Sequence, residues 1–114
     1  MLTIETLKDF GADTDEGMGR CFGNKDFYLK LVRIVPGEAN FDKLADAVRA
    51  DDLDAAFEHA HALKGVLGNL SLTPIYKPVC DMTELLRAHE KADYLSMLTE
   101  ILEKREQLKR LCDD

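Results

Sequence analysis

Apolar residues recur along most of the chain at steps of three and four, the period of helices that turn one face to a core. Ile4, Leu7 and Phe10 open the series, with Thr3 in front as an N-cap and Gly11 behind as a stop, which predicts a short helix over about 4–10. Asp13 or Thr14 caps a second short helix that Gly23 closes. Asn24 starts a longer pattern through Phe27, Leu31, Ile34 and Val35; Pro36-Gly37 interrupts it, and Phe41, Leu44, Ala45 and Val48 resume it. A proline inside a helical pattern ends or kinks the helix, so residues 25–50 are predicted as one kinked helix or two placed end to end. Asp51-Asp52 reads as a tight joint with an N-cap, ahead of a helix over about 53–69 that carries Phe57, Ala60, Leu63 and Leu67, the stripe continuing to Leu70. Thr73-Pro74 supplies a cap and a first helical position for the next stripe, Ile75, Val79, Met82 and Leu86, with Pro78 expected to distort its first turns. Asp93 caps the last helix, where Tyr94, Leu95, Leu98, Leu102 and Leu111 are predicted to face in and Asp113-Asp114 to fray.

Four long helical patterns joined by short connections predict antiparallel neighbours. The expected fold is therefore all-α, an antiparallel up-down four-helix bundle with the short N-terminal helices across one end. Composition supports this: Leu, Ala, Glu, Lys and Asp dominate, tryptophan is absent, and no stretch alternates as a strand would. A chain of 114 residues is read as one domain, 1–114, large enough for a sizeable core. Its net charge of −7 repels phosphate backbones, which argues against nucleic acid as a partner. The absence of a long apolar run or a signal-peptide pattern argues against a membrane and for the cytoplasm. Cys21, Cys80 and Cys112 are odd in number and far apart, with no CxxC pair; reduced thiols in partly buried helix positions are expected rather than a disulfide framework or a zinc site.

The helix at 53–69 has a second face. On a wheel of roughly 100° per residue, His61, Gly65 and Gly68 fall together, with Lys64 at the border of the apolar stripe. A glycine inside a helix costs about 1 kcal/mol relative to alanine, and close approach by another surface is the gain that offsets it. A glycine that served packing inside the bundle would admit no side chain. The wheel sets Gly68 beside His61 instead, so a side chain there should be harmless to folding and harmful to an approaching partner.

A histidine followed by lysine three residues on, glycine four on and glycine seven on resembles the phosphorylation site of histidine-phosphotransfer (HPt) domains, here His61, Lys64, Gly65 and Gly68. Many members have a small residue, often glycine, ten positions after the histidine; here it is Ser71. The order of short leading helices, a long kinked helix, the histidine helix and two more is similar to the family's architecture. The resemblance implies a phosphorelay protein that exchanges a phosphoryl group with the aspartate of response-regulator receiver domains, downstream of a histidine kinase. It implies a phosphocarrier without kinase activity of its own, in keeping with a chain that has no phosphate loop or nucleotide motif. His61 would be the phosphorylated nucleophile, an imidazole that is largely neutral near pH 7 without special activation. Lys64, one turn on, would offset charge on the transferring oxygens; the plainer role is a lysine stem that covers apolar surface. No cofactor or metal is expected on this chain, the magnesium ion and its acidic ligands belonging to the receiver. Gly65, Gly68, Glu58 and Asn69 are candidate docking residues, with Glu58 also placed to hold the imidazole tautomer and Lys77 as a weaker contact. His59 and His89 are expected to be structural, and residues two apart on a helix, such as His59 and His61, are not a zinc pair. The alternative function is a non-catalytic helical adaptor with an idle surface histidine.

Overall fold

Side-chain caps start six of the helices in the structure, a computed structural model that describes residues 1–113. Thr3 and Thr6 form a reciprocal capping box on α1 (Ile4–Phe10), and Asp13 caps α2 (Thr14–Arg20). Asn24 caps α3 (Lys25–Ile34), Glu38 caps α4 (Ala39–Arg49), and Asp52 caps α5 (Leu53–Asn69). Asp93 accepts from the Ser96 amide at 3.1 Å at the start of α7 (Tyr94–Asp113). Each cap satisfies one of the backbone donors that a helix start leaves unpaired. The helix α6 (Thr73–Arg87) is the exception: Leu72 is its N-cap and makes no side-chain cap bond, so Thr73 is the first helical residue and Pro74 the second. The expected boundary is thus displaced by one residue, and the helix continues through Pro78. Between α3 and α4 a 3-10 turn over Val35–Gly37 realises the predicted interruption as two helices end to end. Asp113 is the last residue of α7; the expectation for Asp114 lies outside the described residues.

The helix ends share one device. Gly11, Phe22, Asp51, Ser71 and His89 are left-handed, with φ of 113°, 60°, 56°, 54° and 55°. The amide after each reaches back five residues: Ala12 to Leu7, Gly23 to Met18, Asp52 to Ala47, Leu72 to Leu67 and Glu90 to Leu85, at 2.8–3.2 Å. These are Schellman closures, and four of the five use a residue other than glycine. Gly23 therefore does not itself stop α2; its amide donates the closing bond to Met18, two residues after Cys21 has capped the helix.

The chain is all-helical among the described residues. Helix α4 packs on α5, α5 on α6, α6 on α7 and α7 on α4, a closed cycle of four around the core. The stripe Ala56, Ala60, Leu63 and Leu67 of α5 is buried, as are Ile75, Val79, Met82 and Leu86 of α6. Two other stripes differ from expectation. In α3 the buried residues are Tyr28 and Val32, followed by Val35, while Phe27 and Ile34 are exposed. Both sets have helical spacing one residue apart, and Tyr28 wins because it meets α2 and the end of α5. In α7 the buried set is Tyr94, Leu98, Ile101 and Leu108, and Leu95 is exposed. The same face carries Arg105, whose guanidinium lies 5.4 Å from the Phe41 ring centroid and 3.2 Å from Asp42. A charge in the stripe hid its true register. The cysteines are free thiols, Cys21 buried and Cys80 and Cys112 half-buried.

Helix α1 touches α2 and α7, and α2 lies against α3 through Gly17. A Cβ at Gly17 would stand 2.5 Å from Cε1 of Tyr28, so only glycine allows this approach. The buried Tyr28 hydroxyl donates to the Leu70 carbonyl at 2.8 Å. Burial, with Cys21 and Asp13 nearby adding to it, pushes that hydroxyl up from 10.0 to about 12. The folded state holds the proton more tightly than the unfolded chain, so stability contributed by the neutral phenol is complete below pH 10 and falls as pH rises through about 12. Equilibrium unfolding between pH 9 and 12 should show that decline, and Tyr28→Phe should flatten it; equal slopes in both proteins would refute the assignment.

Candidate functional site

The middle of α5 presents His61 to solvent while Ala60 and Leu63 beside it are buried. One turn earlier the Phe57 ring stacks on the imidazole, with centroids 5.7 Å apart and planes at 24°. The Arg87 guanidinium of α6 covers the Phe57 ring at 5.2 Å. Residues four apart on a helix are neighbours, and Phe57, expected in the buried stripe, is instead half-buried with its ring against the imidazole. Lys64, one turn after His61, is half-buried and lies 3.4 Å from Glu84 Oε1. The other oxygen of Glu84 is 3.5 Å from Arg87 Nε. These are surface pairs, each worth about 0–1 kcal/mol, so Lys64 can leave Glu84 for a stronger anion.

His61 and Lys64 border an open cleft of about 710 Å³. Helix α5 contributes His61, Lys64, Gly65, Gly68 and Asn69 to it, and α6 contributes Thr73, Tyr76 and Lys77. The remaining wall is α2, through Asp13, Glu16 and Arg20, with Ser71 at the joint. This wall is bonded to the end of α5. Arg20 donates through Nη1 to the Gly68 carbonyl, and the Asp13 amide donates to the Ser71 carbonyl at 3.0 Å. The Ser71 hydroxyl donates to Glu16 Oε1 at 2.9 Å, and the same oxygen lies 2.9 Å from Arg20 Nη2. Besides the chain's own closing bonds, α2 and α3 thus add donors to carbonyls at and just past the end of α5.

The two glycines are not equivalent. A Cβ at Gly65 would meet nothing within 4 Å, whereas one at Gly68 would stand 3.0 Å from Cε1 of the Tyr76 ring. Gly68 lines the cleft, and it also lets the ring lie close, a contact that a helical wheel of α5 does not contain. Gly65→Ala should therefore raise stability by up to about 1 kcal/mol, while Gly68→Ala should gain less because Tyr76 must move. Thermal melting of both variants checks this, and a higher midpoint for the Gly68 variant would contradict it.

Glu58 lies elsewhere, exposed in a smaller cleft with Asp54, Phe57, Leu86, Arg87 and His89, and no hydrogen bond joins it to His61 among the described residues. His59 faces α4, its Nδ1 3.0 Å from Asn40 Oδ1. His89 is exposed and falls just beyond α6 at a left-handed position. No group of three or more His, Cys, Asp or Glu side chains is placed to hold a metal ion among the described residues. Sequence reasoning did not find Glu16, Arg20, Glu84 or Tyr76 as parts of the site. Spacing along α5 says nothing of what α2 and α6 bring to it; from α6 only Lys77 was named, as a weaker contact, and Ser71 was noted as the small residue ten positions after the histidine.

An exposed histidine thus stands on a helix with a buried stripe, beside a lysine and the open Gly65, at the border of the cleft. The model of the Hpt domain family matches residues 37–113, and the chain belongs to that family. Hpt domains are phosphocarrier modules of two-component phosphorelays, working with histidine kinases and response regulators. Neither curated proteins nor solved structures gave a significant match to the chain. No helix among the described residues is long and apolar enough to cross a membrane.

Proposed function

We propose that the chain carries a phosphoryl group on His61, exchanging it with the aspartate of a receiver domain. The observation that supports this most is the position of His61, exposed at the border of a cleft beside Lys64 and Gly65. The lone pair of the unprotonated ring nitrogen attacks phosphorus. The P–O bond to the receiver's aspartate breaks, its electron pair stays on the carboxylate, and an N–P bond forms. The reverse sequence returns the group. Lys64 leaves Glu84 to meet the phosphoryl oxygens, and Phe57 limits rotation of the ring during attack. Gly65 leaves room for the receiver to approach, with Gly68 and Asn69 on the same cleft. The magnesium ion sits with its acidic ligands on the receiver, and this chain needs no cofactor.

The cycle of α4 to α7 is an antiparallel up-down bundle in this proposal, supported by three-residue joints at 50–52 and 70–72 and a six-residue joint at 88–93. Residues 1–114 act as one domain in the cytoplasm. Incubation with a phosphorylated receiver should place acid-labile, base-stable phosphate on the chain. ATP without a kinase should place none. A chain that no phosphorylated receiver labels would be the adaptor instead, and label from ATP alone would make it a kinase.

A further inference from the structure

Resting on the phosphocarrier reading, we infer that α2 and its C-terminal turn form the wall that selects the receiver, with Arg20 and Phe22 as its contacts. Three observations lead there. Arg20 borders the cleft with its side chain about half exposed, 48%, although it is already engaged by Glu16 and the Gly68 carbonyl. With Lys64 and Lys77 it gives the cleft three cations beside the carboxylates of Asp13 and Glu16, in a chain whose net charge is −7. Such a surface is complementary to the acidic phosphate-accepting face of a receiver, and complementary charge steers and orients encounters. Two residues beyond Arg20, Phe22 is 93% exposed at a left-handed φ of 60°. Glycine is the residue suited to that backbone, and a bare phenyl ring there stabilises nothing in the free protein. Phe22 follows the cleft wall in the chain without lining the cleft, and exposed aromatic rings are among the side chains from which interfaces draw most of their affinity.

The wall is also fixed in place. Ser71 holds φ of 54°, where glycine would be unstrained, and its hydroxyl ties Glu16 and Arg20 to the end of the histidine helix. Gly17 of the same helix lets it seat on Tyr28. A rigid wall presents its contacts without an ordering cost on binding. This segment lies outside residues 37–113, the part that the family model matches.

The test compares the full chain with Arg20→Ala and Phe22→Ala. Phosphotransfer from a phosphorylated cognate receiver gives KM and kcat, and labelling by phosphoramidate, a small donor that needs no docking, reports His61 alone. Phe22 supports no packing, so its variant cannot fail by unfolding, and circular dichroism verifies the fold of Arg20→Ala. Both variants should raise KM for the receiver at least tenfold with kcat within twofold and phosphoramidate labelling unchanged. KM within twofold of the parent in either variant overturns the inference. A parallel loss of phosphoramidate labelling also overturns it, since the residue would then act on His61 rather than on docking. If the parent itself takes no phosphate from receivers, the phosphocarrier reading fails first, and the two failures are distinguishable.

Discussion

His61→Gln is expected to abolish phosphate uptake from a phosphorylated receiver while leaving the helical circular-dichroism spectrum unchanged. The side chain is exposed, and its packing is limited to one face of the Phe57 ring. Glutamine keeps a polar group of similar reach without a nucleophilic nitrogen, so chemistry is lost and little else. The two other histidines offer no substitute. His59 is tied through Nδ1 to Asn40, and His89 lies past the end of α6, away from the cleft. Residual label on the His61 variant, or label that disappears with His59 or His89, would overturn the assignment.

Lys64→Ala should slow transfer without changing the fold. A charge-assisted contact to a phosphate-like group is worth on the order of 1.5–3 kcal/mol. If it is made mainly in the transition state, the loss is roughly ten- to a hundredfold in rate. In the free protein Lys64 is held by Glu84 at 3.4 Å, a pair weak enough to yield to a phosphoryl dianion. Glu84 thus keeps the ammonium near the site, and Lys64→Ala removes both states. The check is single-turnover transfer at low and high salt. A rate equal to the parent at low salt would leave Lys64 with the single role of covering apolar surface.

The helix that bears His61 was legible in its bounds, its cap at Asp52 and most of its stripe, because these are local properties of residues 52–70, whereas the place of Phe57 against His61 and of Gly68 against Tyr76 was not read. The interruption at Pro36-Gly37 was legible for the same reason. What was hidden depends on partners distant in sequence. Phe27 and Tyr28 compete for the inner face of α3, and Gly17 of α2 decides the contest. In α7 a cationic residue occupies a core-facing position by lying over Phe41. Helix ends were blurred because Phe22, Asp51, Ser71 and His89 take the left-handed place where a sequence reader looks for glycine. Of the cleft, the α5 side was readable, with Lys77 of α6 a weaker signal; the wall that Glu16 and Arg20 build came only with the tertiary structure.

Asp13, Arg20 and Tyr28 each donate a hydrogen bond to a carbonyl at or just past the end of the histidine helix, at Ser71, Gly68 and Leu70. All three donors precede residue 37, where the recognisable family pattern begins. A piece cut at that point would keep the whole motif and its own Schellman closure, and lose the outside donors that tie the end of that helix to α2 and α3. The part that announces the chain's ancestry is therefore smaller than the part that is bonded to the histidine helix.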